Sequence, residues 1–94
     1  MAVTEKMSQG SQAANGLSAS TLVKAGMGRL TRVSVTTAGA AGAVYDSASI
    51  GGVGAGNLIG VIPATVGVYL FDWPINNGIV YVPGAAQVAS LTYE

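Results

Sequence analysis

The chain contains no cysteine and no histidine among its 94 residues. Without cysteine it has neither a disulfide framework nor a thiolate site, and the redox compartment stays open. The Ser-His and Cys-His nucleophile pairs, histidine acid–base chemistry and the usual zinc ligand sets are therefore unavailable. The glycines lie between strand-like segments and do not open a helix, which excludes a phosphate-binding loop. These absences predict a protein that is not an enzyme and that holds no cofactor or metal.

Charge is also scarce, since four basic and four acidic residues make up 9% of the chain and cancel to a net charge of zero. An ordinary soluble domain has about 25% charged residues. Nucleic acid is a poor partner, because its binding requires a basic patch that releases phosphate counterions. Lys24, Arg29 and Arg32 do cluster, but three basic residues around a turn indicate a solvated face. So little charge is typical of a surface that packs against neighbouring subunits.

Residues 47–71 carry no charged side chain, and a hydropathy window would mark them as a membrane span. Six glycines and Pro63 interrupt the stretch. Asp46 and Asp72 flank it, where a span would usually carry Lys or Arg on one side. Residues 1–16 are polar and lack the apolar core of a signal peptide. We therefore expect no membrane segment.

Large side chains are rare, because aromatic residues make up 6% of the chain while 14 residues are glycine. Each buried CH₂ contributes about 0.8 kcal/mol, against an ordering cost of about 1.5 kcal/mol per residue. A core built mainly from Ala and Val offsets that cost poorly. We expect the chain to gain further burial through self-association or on a larger assembly.

Two regions differ in pattern. Residues 1–18 are rich in Ser, Gln, Asn, Gly and Ala without a period, which predicts a flexible N-terminal arm. Residues 19–94 contain about seven short strands separated by glycine-rich turns, with no long helix. This pattern predicts an all-β fold, either an antiparallel β-sandwich or a jelly-roll-like barrel. Leu30 breaks the alternation of its strand, which indicates a bulge or an edge residue packed on a neighbour.

Most of the aromatic residues fall within residues 66–83, where Asn77-Gly78 predicts a β-hairpin because both residues accept a positive φ. Core filling is the favoured role of three of these aromatics, since the chain has few other large side chains. The alternative is a platform of Tyr69, Phe71 and Trp73 that stacks on a sugar, since residues two apart share a strand face. We predict a partner contact at the hairpin tip, formed by Trp73, Pro74, Ile75 and Asn76.

Asp46 and Asp72 are the two carboxylates that could pair within the predicted strands. Such a pair would suit glycoside hydrolysis or, better, a calcium site. Each residue, however, lies at a strand end beside an aromatic residue, where aspartate commonly accepts hydrogen bonds from turn amides. The structural role is therefore favoured over both functional alternatives.

Turn glycines, alternating strand patterns and a Tyr-Asp strand end are found, between them, in residues 21–30, 44–46, 59–63, 77–80 and 87–94. On these features, residues 20–94 resemble small β-domains encoded among the virion structural genes of tailed bacteriophages. The resemblance implies a capsid decoration (cement) protein or a module of a head or tail fibre, often trimeric. It carries no catalytic residues over to this chain.

The expected function is therefore a non-enzymatic decoration subunit that stabilises the assembled head. The resemblance implies a homotrimer on the surface of the virion, made in the host cytoplasm and bound to the major capsid protein or another virion protein. The arm, with Lys6 and Met7, and the Trp73 tip are the expected contacts. The alternative is a receptor- or glycan-binding module of a fibre that uses Trp73, Tyr69 and Asp72.

Overall fold

The computed structural model describes residues 12–94, which form eight β-strands. In chain order they are β1 (Gln12–Leu17), β2 (Thr21–Ala25), β3 (Gly28–Thr37), β4 (Gly42–Asp46), β5 (Leu58–Ile62), β6 (Gly67–Ile75), β7 (Gly78–Val82) and β8 (Val88–Tyr93). Two short 3₁₀ turns, Ile50–Gly52 and Ala55–Asn57, lie in the loop between β4 and β5, and residues 12–94 contain no α-helix. The all-β prediction is confirmed, with one strand more than the seven expected.

The strands form two antiparallel four-stranded sheets packed against each other, in the orders β1-β8-β3-β6 and β2-β7-β4-β5. The first strand pairs with the eighth, the second with the seventh, the third with the sixth and the fourth with the fifth. The chain is thus one long antiparallel ribbon folded over on itself. Two further pairs, β3 with β8 and β4 with β7, join the folded parts of the ribbon within each sheet. This connectivity is the jelly-roll arrangement.

The core between the sheets consists mainly of branched aliphatic side chains on alternate strand positions, as a half-buried sheet requires. Tyr69 and Phe71 pack against its periphery, and Tyr81 is fully buried within it. The prediction that these three aromatic residues fill the core is confirmed. The buried cluster comprises Leu30, Val33, Val35, Val44, Ile62, Ile75, Ile79, Tyr81, Ala89 and Leu91.

The N-terminal boundary predicted at residue 18 needs correction, because β1 pairs with β8 and the sandwich already begins at Gln12. Only Ala14 and Leu17 of this edge strand are half-buried, so its sequence shows no apolar alternation. Gly16 has a φ of 66° at a shift in register, and its N–H donates a hydrogen bond to Ser90 Oγ at 3.0 Å. The rest of the predicted arm, residues 1–11, lies outside the described residues.

The predicted hairpin across Asn77-Gly78 is wrong. Strand β6 pairs with β3 in one sheet, while β7 pairs with β2 and β4 in the other, so residues 76–77 carry the chain between the sheets. Neither Asn77 nor Gly78 has the positive φ that the expected turn requires. Glycine is needed at 78 for another reason, since a Cβ there would overlap the carbonyl oxygens of Ser47 and Lys24.

The irregularity predicted at Leu30 is a β-bulge in β3. Leu30 and Thr31 are consecutive and both buried, and the register with β8 shifts between Leu30 and Arg32. The buried Thr31 hydroxyl donates to the Thr92 carbonyl oxygen at 2.7 Å and lies 3.2 Å from Thr92 Oγ. The bulge therefore buries two successive residues, and the Thr31 hydroxyl keeps its hydrogen bonds.

A buried glutamine holds together the end of the sandwich where the β3–β4, β5–β6 and β7–β8 loops meet, which we call the Gln87 end. The Gln87 side chain is 1% exposed, accepts a hydrogen bond from the Tyr81 hydroxyl and donates one to the Pro63 carbonyl oxygen at 3.0 Å. Burial raises the pKa of Tyr81. A Cβ at Gly42 would overlap Gln87 Oε1, so only glycine fits there. The network is neutral and closely packed.

The charge-free stretch of residues 47–71 forms the β4–β5 loop, β5 and the first half of β6. Within residues 12–94, no helix is long and apolar enough to cross a membrane.

Candidate interaction surfaces

Asp46 closes the opposite end of the sandwich, where the β2–β3 and β6–β7 loops meet, which we call the Asp46 end. Its Oδ1 accepts hydrogen bonds from the backbone N–H groups of Asn77 at 2.8 Å and Gly78 at 3.2 Å. Its Oδ2 accepts a third from the N–H of Asn76 at 3.1 Å. A backbone hydrogen bond of 2.8 Å from the Gly26 N–H to the Asn77 carbonyl oxygen adds the β2–β3 turn. The predicted role of Asp46, accepting bonds from turn amides, is confirmed.

Two opposing effects set the pKa of the Asp46 carboxyl. Partial burial raises the pKa, but the three N–H donors stabilise the charged form by more. The pKa of Asp46 therefore lies below its ordinary value. The three backbone hydrogen bonds thus stabilise the ionised form of Asp46.

Asp72 has a different partner. Arg29 Nη1 donates to Asp72 Oδ1 at 2.9 Å and to the Asp72 carbonyl oxygen at 3.1 Å, and both side chains are exposed. Asp72 has a φ of 49° and lies where the register between β3 and β6 shifts. Aspartate tolerates this left-handed conformation better than most residues. Each of the two carboxylates thus has its own partners, and residues 12–94 contain no group of three or more His, Cys, Asp or Glu that could hold a metal ion.

The contact surface predicted at residues 73–76 is only partly exposed. Trp73 is 51% exposed, and Pro74 and Asn76 are exposed as well. Ile75 is 2% exposed and belongs to the core, because it faces inward opposite Gly28. The side chains that remain available to a partner are therefore those of Trp73, Pro74 and Asn76. The other two predicted contacts, Lys6 and Met7, lie outside the described residues.

The alternative of a three-ring stacking platform does not match the packing. Tyr69 and Phe71 pack against the core, and the Tyr69 hydroxyl donates a hydrogen bond to the Thr65 carbonyl oxygen at 2.6 Å. Trp73 is the one of the three that is mostly open to solvent. A sugar would therefore meet a single ring, beside the Arg29–Asp72 ion pair. No pocket is found among residues 12–94.

The largest concentration of exposed apolar side chains lies along one lateral side of the sandwich, where β5 and β6 are the edge strands of their sheets. We call it the β5–β6 side. Two of its residues, Val68 and Leu70, are 66% and 70% exposed. On β6, Val68 and Leu70 alternate with the core-packed Tyr69 and Phe71 and therefore share the outer face of their sheet. Exposed apolar residues that share a face are candidates for an interaction site, whereas scattered ones are ordinary. The exposed large apolar residues of this side are Leu58, Val61, Val66, Val68, Leu70 and Trp73.

Sequence reasoning did not identify the β5–β6 side as a surface. The signal was present in the absence of charge over residues 47–71, which was weighed only as a membrane span. Which strand lies at a sheet edge depends on long-range pairing, and no local pattern shows it.

Comparison with known proteins gives no match, since no family model, curated protein or solved structure is similar to this chain.

Proposed function

We propose that this chain is a non-enzymatic structural protein of a tailed-phage virion, a capsid decoration subunit that binds the assembled head. The observation that carries the proposal is the group of exposed apolar side chains along the β5–β6 side of a small jelly roll. A side of this kind gains free energy when it is covered by a neighbouring subunit. Jelly rolls are common in viral capsid and lectin domains, which fits this class of function.

The proposed mechanism is stabilisation by mass action. A subunit that binds the assembled lattice and not its dissociated parts lowers the free energy of the assembled state. The partner is the major capsid protein or another virion protein, on the outer surface of the particle. The subunit also associates with copies of itself, which spreads the binding energy over several attachment points.

The experiment uses heads of the phage that encodes the chain, prepared with its gene deleted. We expect these heads to lose their DNA at a lower temperature than complete heads, and purified chain to restore the difference when added back. Release is followed with a DNA-binding dye during heating. Deleted heads that match complete heads, together with absence of the chain from virions by mass spectrometry, would contradict the proposal.

The predicted role of the N-terminal arm needs a deletion that spares the sandwich. Removal of residues 1–17 would take away β1 and expose β8, whereas removal of residues 1–11 leaves every described strand in place. We expect the chain without residues 1–11 to stay folded and to lose binding to heads. The paired substitution Lys6→Ala and Met7→Ala tests the two named contacts within the full chain. Unchanged occupancy on heads would remove the arm from the proposal.

A glycan-binding fibre module is the second candidate, favoured by the exposed Trp73 ring beside the polar Arg29–Asp72 pair. An exposed aromatic face with adjacent hydrogen-bonding groups suits a sugar ring. On this alternative, Trp73→Ala abolishes binding to host cells and leaves the oligomeric state unchanged. Loss of head binding in the same variant, with host-cell binding absent from the parent chain, would favour decoration instead.

A further inference from the structure

Strand β6 ends the sheet β1-β8-β3-β6, and among residues 12–94 it pairs only with β3. An edge strand presents backbone N–H and C=O groups that can pair with another chain. Proteins usually block such an edge with charge, proline, a bulge or a covering segment. The question for β6 is which part of it lacks these protections.

The first five residues of β6 contain no charge, proline or bulge, and within residues 12–94 no strand other than β3 pairs with them. Residues 67–71, Gly-Val-Tyr-Leu-Phe, contain no charge and no proline, and most of them favour the extended conformation. The protections begin immediately afterwards, with the positive φ and register shift at Asp72 and with Pro74. The segment open to pairing is therefore residues 67–71, where the side chains of Val68 and Leu70 stand out into solvent.

The other edge strands are protected in ways that β6 is not. Strand β1 carries the polar residues Gln12 and Asn15 and no large exposed apolar side chain, and its register shifts near Gly16, which has a positive φ. Strand β2 carries Lys24 and shifts register between Leu22 and Lys24. Strand β5 has five residues, and its pairing with β4 is irregular at Tyr45. Strand β6 is thus the longest edge with a regular, uncharged and apolar segment.

We propose that β6 pairs antiparallel with β6 of a second copy of this chain, around a twofold axis at Tyr69. In this register Val68 of each copy lies opposite Leu70 of the other. Cross-strand apolar pairs of this kind stabilise a sheet. The sheet β1-β8-β3-β6 of one copy and that of the other then form a single sheet of eight strands. An antiparallel strand is its own complement, so one surface serves both partners.

Charge does not oppose this pairing. The nearest cationic side chain on the same sheet face is Arg32, which lies opposite Leu70 within each copy. In the pair the two β3 strands are three strand spacings apart, about 14 Å. At physiological ionic strength charges are screened over about 8 Å, so the two guanidinium groups repel only weakly.

The edge geometry favours a twofold pair over the homotrimer that the resemblance implies. The inference specifies the self-association named in the proposed function, but it depends on β6 alone. It is therefore tested on the purified chain without phage heads. A failure here leaves the head-binding experiment untouched, and the converse also holds.

The test measures the mass of the full chain in solution by light scattering after gel filtration, over a concentration series. We expect the mass of two chains for the parent and of one chain for Leu70→Lys. A twofold interface contains the substitution twice, so the dissociation constant should rise about a hundredfold. Ala13→Lys is the matched control, because it places the same lysine at an exposed position on β1, the other edge of the same sheet. This control should keep the mass of two chains.

Circular dichroism shows whether each variant keeps the β-fold, and Val68→Lys provides a second disruption should Leu70→Lys fail to fold. Hydrogen exchange supplies an independent readout, since those amides of residues 67–71 that point away from β3 should gain protection as the concentration rises. A parent mass of one or of three chains would overturn the proposal. So would a folded Leu70→Lys variant that keeps the mass of two chains.

Discussion

Both ends of the sandwich hold their loops together with hydrogen bonds, one through a buried neutral amide and the other through a carboxylate. At the Gln87 end, a neutral amide is almost fully buried and bonds to a tyrosine hydroxyl and a carbonyl oxygen. At the Asp46 end, a partly exposed carboxylate collects three backbone N–H groups. The neutral network depends on exclusion of water, whereas the carboxylate depends on its charge. The two ends should therefore respond differently to truncation, pH and salt.

Truncation at the Gln87 end should have the largest effect. Gln87→Ala leaves the fully buried Tyr81 hydroxyl without its partner, which costs about 1–3 kcal/mol, and also removes the amide side chain and its bond to the Pro63 carbonyl oxygen. We expect the free energy of unfolding to fall by about 3 kcal/mol. Urea denaturation measures it. Tyr81→Phe, which removes a single hydrogen bond, should cost about 1 kcal/mol. Equal losses in the two variants would show that Gln87 does not organise this end.

Truncation at the Asp46 end should cost less, because solvent can replace part of what is lost. Asp46→Ala removes three charge-assisted hydrogen bonds at a partly exposed position, with an expected loss of about 1.5 kcal/mol. Asp46→Asn keeps the shape but loses the charge and one acceptor oxygen, and should lie between the parent and Asp46→Ala. The same urea experiment measures both. An Asp46→Asn variant as stable as the parent would show that charge is unimportant at this end.

The pH dependence separates the two ends directly. The pKa of Asp46 is lower in the folded chain than in the unfolded chain, so the unfolded chain binds the proton first as pH falls. The contribution of Asp46 to the free energy of unfolding is thus complete above its pKa in the unfolded chain, about 4. This contribution is lost as pH falls through the lower pKa of the folded chain. Urea midpoints measured between pH 6 and pH 2 should show this decline in the parent and in Gln87→Ala. The decline should be smaller in Asp46→Ala, and an equal decline in all three would contradict the assignment.

The smallest effect should come from the exposed Arg29–Asp72 ion pair near the Asp46 end. Arg29→Ala breaks an exposed pair with Asp72, and such pairs contribute about 0.3 kcal/mol. We expect the loss to vanish at high salt, because exposed charges are screened. Urea midpoints in low and high salt provide the measurement. A loss above about 1 kcal/mol would mean that Arg29 also supports the backbone at Asp72.

The sequence predicted the strands well where burial repeats along the chain. The bulge at Leu30 follows from one misplaced leucine in an alternating strand. β1 escaped prediction because an exposed edge strand has no apolar alternation to detect. The prediction of a hairpin at Asn77-Gly78 failed because glycine is required at position 78 by the close backbone of Ser47 and Lys24, which is a long-range contact. Local patterns report burial, whereas pairing is decided by partners far along the chain.

The features of the candidate surfaces also divide into those that follow from local sequence and those that depend on long-range strand pairing. Trp73 is exposed, as the predicted contact requires, although β6 does not end there and continues to Ile75. The role of Asp46 is foreseeable in kind, as an acceptor for turn amides, although its three donors lie about thirty residues away. The open edge of β6 is a property of sheet order and appears only when the strand pairs are known.

The pairing of the first described strand with the last has a consequence for the order of assembly. Gln12 lies opposite Tyr93, so β1 must wait until β8 has left the ribosome before it finds its partner. Until then β8's place beside β3 is empty, and the apolar segment of β6 is exposed next to an unfinished sheet. Folds dominated by such distant pairings form in milliseconds to seconds, slowly for a domain of this size. The complete sandwich can therefore form only once β8 is available, and an unpaired strand edge before that point is a site where chains aggregate.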